Sequence, residues 1–298
     1  MRLAVVVPAT DAPLTLERCL RAIRTAEEPP DELEVVEAPH RMGPAAARNL
    51  GTARTTGDVV VFVDADVVVA PDSFTRIRAH FRDDPAPVAV FGSYDDAVET
   101  QTLAARFRNL LHHHVHTRAA GEATTFWAGL GAVRRDAFEE VGGFDPEQRM
   151  LEDIELGLRL SGAGGRLVLD PLIRGTHLKN WTFRQMVKTD FADRGVPWVH
   201  LMLDHRDVPT TLNLGWRDRA SALVSCAALV FALRRRPIGA TASAAVLVAL
   251  NRPFYSVLCR KLGATDAVRS VPIHIAHHVA GVAAVPVALL TYPFRRRR

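Results

Sequence analysis

The sequence is poor in cysteine: three in 298 residues, at positions 19, 226 and 259. They lie far apart, are odd in number and form no CxxC pair, which excludes a disulfide framework and a thiolate metal centre. A reducing compartment is therefore expected. No glycine-rich phosphate loop follows the first apolar run, where the chain reads PATDAPLT. No RNP, helix-turn-helix or zinc-finger spacing accompanies the net charge of +4, so nucleic acid is not an expected partner. The opening MRLAVVVPA is too short an apolar run for a secretory signal, and the polar part of the chain is expected in the cytoplasm.

What is present is a shift in composition. Residues 1–219 are mixed, whereas 220–294 carry long apolar runs separated by arginine clusters. Leu3–Val7 is a short continuous apolar run ended by Pro8, the pattern of a strand buried on both faces. Leu16, Cys19, Leu20 and Ile23 follow at helical spacing. ELEVVEAP (Glu32–Pro39) then reads as a strand, GPAAARNLGTARTT (Gly43–Thr56) as a helix and GDVVVFVDAD as a third strand. The alternation β-α-β-α-β predicts a parallel sheet with helices on both faces, and ligands at the C-terminal strand ends. Pro8, Glu37, Asp64 and Asp66 fall there.

Asp64 and Asp66 end an apolar run in which an unpaired charge is costly. Period 2 sends both side chains to one side, where two carboxylates suit a Mg²⁺ or Mn²⁺ ion carrying a diphosphate. The same pattern also describes a simple Asp turn. TTFWAGLGAVRRDAFEEVGGFDP (Thr124–Pro146) reads as a strand with small residues, then a helix ended by GGFD. LEDIELGLRLSGAGG (Leu151–Gly165) reads as an amphipathic helix with Glu152, Asp153 and Glu155 in its first turn. Acids there suit the helix dipole, and one of them could also take a proton from a hydroxyl. Trp127 beside Gly129 reads equally as core or as part of a sugar or lipid acceptor site. His112 and His116 in HHHVH stand at i, i+4 without a third ligand, so exposed helical histidines are expected rather than a zinc site.

The ordered set VVVPATDAPLTLERCL, GPAAARNLGTARTTGDVVVFVDADV, FWAGLGAVRRDAFEEVGGFD and LEDIELGLRL resembles a family 2 glycosyltransferase of the GT-A fold, over about residues 3–180. The resemblance implies an α/β, Rossmann-like nucleotide-diphospho-sugar transferase domain. It implies that Pro8, Ala9 and Asp11 hold the nucleotide base and that Asp64 contacts the nucleoside side of the donor. Asp66 would ligate the metal, Asp153 would be the catalytic base of an inverting displacement, and Glu152 would help bind the acceptor. His177 matches a position where some relatives place a histidine on the metal or diphosphate. Where relatives carry paired acids after the second strand, this chain has VVEAPHRMG, leaving Glu37 alone for the base or ribose. The implied cofactor is Mn²⁺ or Mg²⁺, and the implied partners are a nucleotide-diphosphate sugar and a lipid or small-molecule acceptor. A non-catalytic scaffold retaining the fold stays open, and a nucleotidyltransferase less so for want of a phosphate loop.

NWTFRQMVKTDFADRGVPWVHLML (Asn180–Leu203) mixes aromatic and basic residues, as in an amphipathic surface segment or a helix packed on the domain. Three apolar stretches follow: Ala220–Leu233, Pro237–Leu258 and Val271–Phe294. Arg234–Arg236, Arg260 with Lys261, and Arg295–Arg298 border them, as basic residues border segments at anionic lipid headgroups. The expected division is a transferase domain at 1–210 and a helical membrane-association region at 211–298, with one to three embedded helices on the cytoplasmic membrane.

Overall fold

The computed structural model describes residues 1–10, 14–37, 42–84, 86–205 and 215–295. The chain divides into two compact units: residues 1–99 with 116–179, and residues 100–115 with 180–298.

The first unit is built on a sheet whose strands are β1 (Leu3–Pro8), β2 (Glu32–Val36), β3 (Val59–Val63), β4 (Val67–Val69), β5 (Pro87–Tyr94), β6 (Gly121–Ala123), β7 (Leu130–Arg134) and β8 (Arg166–His177). Their order is β2-β1-β3-β7-β5-β8-β4, with β6 beside β8. β2, β1 and β3 are parallel, as the alternating pattern predicts. The sheet as a whole is mixed, because β7 runs antiparallel to both β3 and β5, and β4 antiparallel to β8. Apolar runs carry no sign of direction. Only the connection fixes it, and β7 enters from the end of the sheet that a βαβ crossover would have left.

The helices α1 (Leu16–Arg24), α2 (Pro44–Ala53), α3 (Ser73–Asp83), α5 (Arg135–Glu140) and α6 (Glu152–Gly162) belong to this unit. α1 and α3 pack with one face of the sheet, where Val5, Val61, Phe74 and Ile77 are buried. α2, α5 and α6 cover the other, over Val60, Phe62, Phe91 and Leu156. Phe62, Phe138 and Phe144 meet at centroid distances of 5.0–5.7 Å. Each such buried side chain contributes about 1.5–3 kcal/mol, so this aromatic cluster anchors α5 to the sheet. Thr124–Gly129 is not strand, and β7 begins only at Leu130.

The second unit is helical. It holds the first part of α4 (Leu103–Arg118), then α7 (Phe183–Lys188), a π-helical turn (Thr189–Gly195), α8 (Val196–His205), α9 (Trp216–Leu233), α10 (Pro237–Leu250), α11 (Arg252–Leu262) and α12 (Ala264–Arg295). α7 starts at a capping box in which Thr182 and Gln185 satisfy each other's backbone N–H groups. The stretch Pro237–Leu258 is not one rod: α10 and α11 meet at an angle of 89°. Pro253 in the first turn of α11 has no N–H to continue α10. Among the described residues α12 is the one single helix long and apolar enough to cross a membrane, with a mean hydropathy of 1.7, and the bent pair α10 and α11 reaches the same measure only when taken together. The histidine run of α4 is not exposed: His116 is buried, its Nδ1 sharing a hydrogen with the Gly92 carbonyl at 3.1 Å, and its neighbours are half-buried. Among the described residues no three His, Cys, Asp or Glu side chains converge for a metal.

Candidate active site

The sheet order brings separate stretches of sequence to one edge. β1 and β3 are parallel, so Pro8 and Asp64 end neighbouring strands at the same side. β7 is antiparallel with Leu130 opposite Val63, which places 127–129 at that same edge. β5 and β8 are parallel with Tyr94 opposite Gly175, and His177 at the end of β8 pairs with Val67. The antiparallel strands are thus what carry Trp127, Gly129 and His177 to the acids.

Asp64–Asp66 is a turn rather than strand: the Val67 N–H donates to the Asp64 carbonyl at 2.9 Å, and the Asp64 N–H to the Gly129 carbonyl at 3.1 Å. Period 2 holds only in extended backbone, so the two carboxylates take different partners. Asp64 accepts from the Arg48 guanidinium at 2.8 Å, and the same guanidinium donates to Glu152 at 2.6 Å. Asp66 meets His177 Nε2 at 3.5 Å. Burial pushes the Asp64 carboxyl up, against the lowering influence of Arg48. Burial acts on Asp66 too, but the His177 hydrogen bond and the His177 and Lys179 charges outweigh it and hold Asp66 below the usual range. Cys19, on α1, has its thiol pushed up to about 12 by burial and then by Asp64 and Asp66. It is an inert packing residue whose Sγ–H donates to the Asp64 carbonyl.

Arg48 was not singled out by the sequence patterns, yet it organises the site. It is 4% exposed, its guanidinium lies over the Phe144 ring at 5.4 Å, and its Nε has no partner among the described residues. The signal was present: on α2, Arg48 shares the buried face with Ala45, Gly51 and Thr52. A cation in a stripe of small residues needs carboxylates to face it.

α6 presents the second acid pair. Leu151, immediately before it, adopts φ 62 and ψ 26, a left-handed conformation that costs a non-glycine residue about 1–2 kcal/mol. That turn swings Glu152 toward Arg48 and Asp153 toward the 127–129 loop, where Asp153 Oδ2 accepts from the Ala128 N–H at 3.3 Å. Glu152 is buried against Arg48, so the structure places it within the site's frame.

Around His177 stands an aromatic frame. Its ring stacks on Tyr94 at 4.2 Å and 9°, and Tyr94 meets Trp127 edge-on at 4.8 Å. Gly129 is required by this packing: a Cβ there would lie 2.4 Å from the Trp127 ring. Pro8 ends β1, Ala9 is buried with its N–H donating to the Val36 carbonyl, and Glu37 is exposed just beyond β2. These three lie at the strand ends, with no described contact to the acids. Asp11 lies outside the described residues.

Residues 23–142 match the family model described as glycosyl transferase family 2. Over 166 residues the chain is 32% identical to the pre-mycofactocin glycosyltransferase of Mycobacterium tuberculosis, covering 52% of this chain and 35% of that protein. The chain thus spans about a third of the length of that relative. It is 23% identical to the O-antigen chain rhamnosyltransferase RfbN of Salmonella typhimurium, over 67% of this chain and 74% of that one. Among solved structures, the mannosyltransferase PcManGT from Pyrobaculum calidifontis, determined with GDP-Man and Mn²⁺, superposes with a TM-score of 0.56 at 20% identity, over 95% of this chain and 86% of that one. That likeness establishes the GT-A fold. With Asp64 and Asp66 at the strand ends and the matched segment running through them, residues 23–142 are similar to glycosyl transferase family 2, on a GT-A fold.

Proposed function

We propose that this protein is an inverting, divalent-metal-dependent glycosyltransferase. It moves a sugar from a nucleotide-diphosphate donor to a hydroxyl or phosphate of a lipid or small-molecule acceptor, at the cytoplasmic face of the membrane. The observation that carries the reading is the pairing of two acid sets through one cation: Asp64, two residues before Asp66, and Glu152, immediately before Asp153, share the Arg48 guanidinium. A diphosphate leaving group needs fixed positive charge, and the attacking hydroxyl needs a base on a separate element.

Asp66 and His177 fit a divalent cation, since a carboxylate and an imidazole 3.5 Å apart suit two positions of an ion that keeps its other ligands for waters and phosphate oxygens. When bound, the ion would neutralise charge growing on the diphosphate. Asp153 takes the acceptor proton, with the Ala128 N–H fixing the orientation of its carboxylate. Asp64, Pro8, Ala9, Glu37 and Asp11 serve the nucleoside end of the donor. Trp127 and Gly129 shape the acceptor side. Glu152 holds Arg48, and through it Asp64, in place. The mannosyltransferase bound to GDP-Man and Mn²⁺ supports this class of donor and metal.

The test is calorimetric titration of nucleotide sugars with and without Mn²⁺, on wild type and Asp66→Ala, alongside assay of the released product. Metal-dependent binding of one donor, lost in the variant, with release of a nucleoside diphosphate, is expected. Pyrophosphate release, or no donor binding by the folded protein, would sink the reading.

A further inference from the structure

The first half of α12 is tied to charged and polar partners within the second unit. Asp266 faces Arg106 of α4 at 3.8 Å, and His277 meets Asp190 at 2.8 Å, which also binds Arg108. His274 contacts Tyr255 and His278 at 3.3 and 3.1 Å. Guanidinium and carboxylate groups of α4 and the π-helical turn are therefore fixed beside residues 264–278. What remains mostly apolar and outward is Val279–Phe294, sixteen residues or about 24 Å of helix and short of the roughly 30 Å of a bilayer core, with Thr291 and Tyr292 near its end meeting His200 and Asp204 of α8. Along that half only Ala280, Ala284 and Ala288 are buried, while Val282, Val285, Leu289, Leu290 and Phe294 are exposed. The length is that of a helix lying in one leaflet.

A groove runs beside it. α7, the π-helical turn, α9, α10 and α12 enclose about 760 Å³, lined by residues such as Phe183, Phe191, Leu229, Ala244, Ile275 and Ala280. This lies within the size range of small-ligand sites, about 300–1,000 Å³, but the walls offer almost no polar group to orient a polar ligand. A hydrocarbon chain asks for nothing else. The groove is walled by the last turns of α9 and the first turns of α10, and the turn joining them is Arg234–Arg236, all exposed. The backbone there closes as a Schellman motif, with the Arg236 N–H on the Phe231 carbonyl at 2.9 Å and the Arg235 N–H on the Ala232 carbonyl at 3.0 Å. The left-handed position of that motif, φ 54, is filled by Arg235, where glycine is the relaxed choice. A cation is kept at a strained position beside an apolar groove.

We propose that the second unit seats in one leaflet of an anionic bilayer, with one hydrocarbon chain of a phospholipid in this groove and its phosphate against Arg234–Arg236. The inference rests on the membrane association proposed above and specifies its geometry, lipid charge and contact residues. It assigns no crossing to α12.

The probe is vesicles of phosphatidylcholine with and without phosphatidylglycerol, in co-sedimentation at low and high salt. Wild type is expected to prefer anionic vesicles, and Arg234→Gln/Arg235→Gln/Arg236→Gln to lose roughly a hundredfold of that binding, from about fivefold per arginine near an anionic surface. Arg235→Gly separates binding from folding: its unfolding midpoint should rise while its affinity for anionic vesicles falls about fivefold. A fluorophore on Ala232→Cys, in a Cys226→Ser/Cys259→Ser background, should be quenched by phosphatidylglycerol spin-labelled on its chain, and Ala244→Trp, which fills the groove, should relieve that quenching. Equal binding to neutral vesicles, an unquenched groove, or a C-terminal cysteine (Thr291→Cys) shielded from an impermeant reagent added outside would overturn the proposal. None of these assays uses a nucleotide sugar. Donor binding without vesicle binding would therefore refute this inference alone, and vesicle binding without donor binding the transferase reading alone.

Discussion

Replacing Arg48 by methionine should remove a large fraction of the stability of the first unit. The side chain is 5% exposed and donates to two carboxylates, at 2.6 Å to Glu152 and 2.8 Å to Asp64. At an effective dielectric near 20, each contact is worth about 4 kcal/mol before desolvation, and that desolvation is why the intact cluster adds little net stability. Removing the shared cation is a different matter, because Asp64 and Glu152 stay behind as neighbouring anions. Breaking a buried pair costs about 3–5 kcal/mol, and two orphaned acids put Arg48→Met at the upper end of that range. Total stabilities lie near 5–15 kcal/mol, so the loss is a large fraction of the whole. Denaturant unfolding followed by circular dichroism reads it directly. The compensating variant Arg48→Met/Asp64→Asn/Glu152→Gln should recover most of the stability while remaining inactive, because the charges that needed the guanidinium are gone. The loss in Arg48→Met should also shrink as the pH falls toward the unfolded carboxylate value near 4, because burial already holds the Asp64 carboxyl above it and the orphaned group is protonated first in the folded state. A loss under about 1 kcal/mol for Arg48→Met, or no recovery in the triple variant, would refute the idea that this cation neutralises the site.

Asp190 supplies a pH test in the second unit. Burial pushes its carboxyl up, but the hydrogen bond and charge of His277, with Arg108, outweigh it and bring it to about 2 from an unfolded value of 3.8. A carboxyl depressed in the folded state stabilises above its unfolded value, so roughly 2–3 kcal/mol should be lost as the pH falls from about 4 toward 2. Asp190→Asn should abolish that slope in acid-unfolding curves, and an unchanged slope would refute the pairing. Tyr94→Leu removes the plane on which His177 stacks. Mn²⁺ affinity of the folded variant should fall about 10–100-fold, beyond the modest loss of stability expected from trimming a buried ring, and an unaltered Mn²⁺ titration would show that His177 is not held for a metal.

Much of this was readable from residue order because the governing forces are local. Leu3–Val7 and Val59–Val63 are continuous apolar runs, and both are strands with every residue buried. Asp64, Asp66, Glu152 and Asp153 stand out because charge at the end of an apolar run, or in a first helical turn, demands a reason. Strand direction was not readable. β7 looks the same either way in sequence, yet its antiparallel setting is what delivers Gly129 to Asp64. Arg48 and Tyr94 escaped notice because each is ordinary in its own helix or strand and gains meaning only from partners far along the chain. His116 misled for the same cause: a histidine run reads as surface until Gly92 supplies a buried acceptor.

The distance in sequence between Arg48 and Glu152 is 104 residues, and β4 closes onto β8 over a similar span. Closing such loops costs entropy before any contact rewards it, so these are expected to be late events in folding. Until α6 docks, Arg48 lacks one of its two carboxylates, and until β8 pairs, Asp66 lacks His177. A partly folded chain thus exposes unsatisfied charge at the very edge where substrate would bind, which resists premature burial of that edge. Completion of the site and completion of the fold become a single step, so any nascent fragment ending before β8 should lack lasting structure.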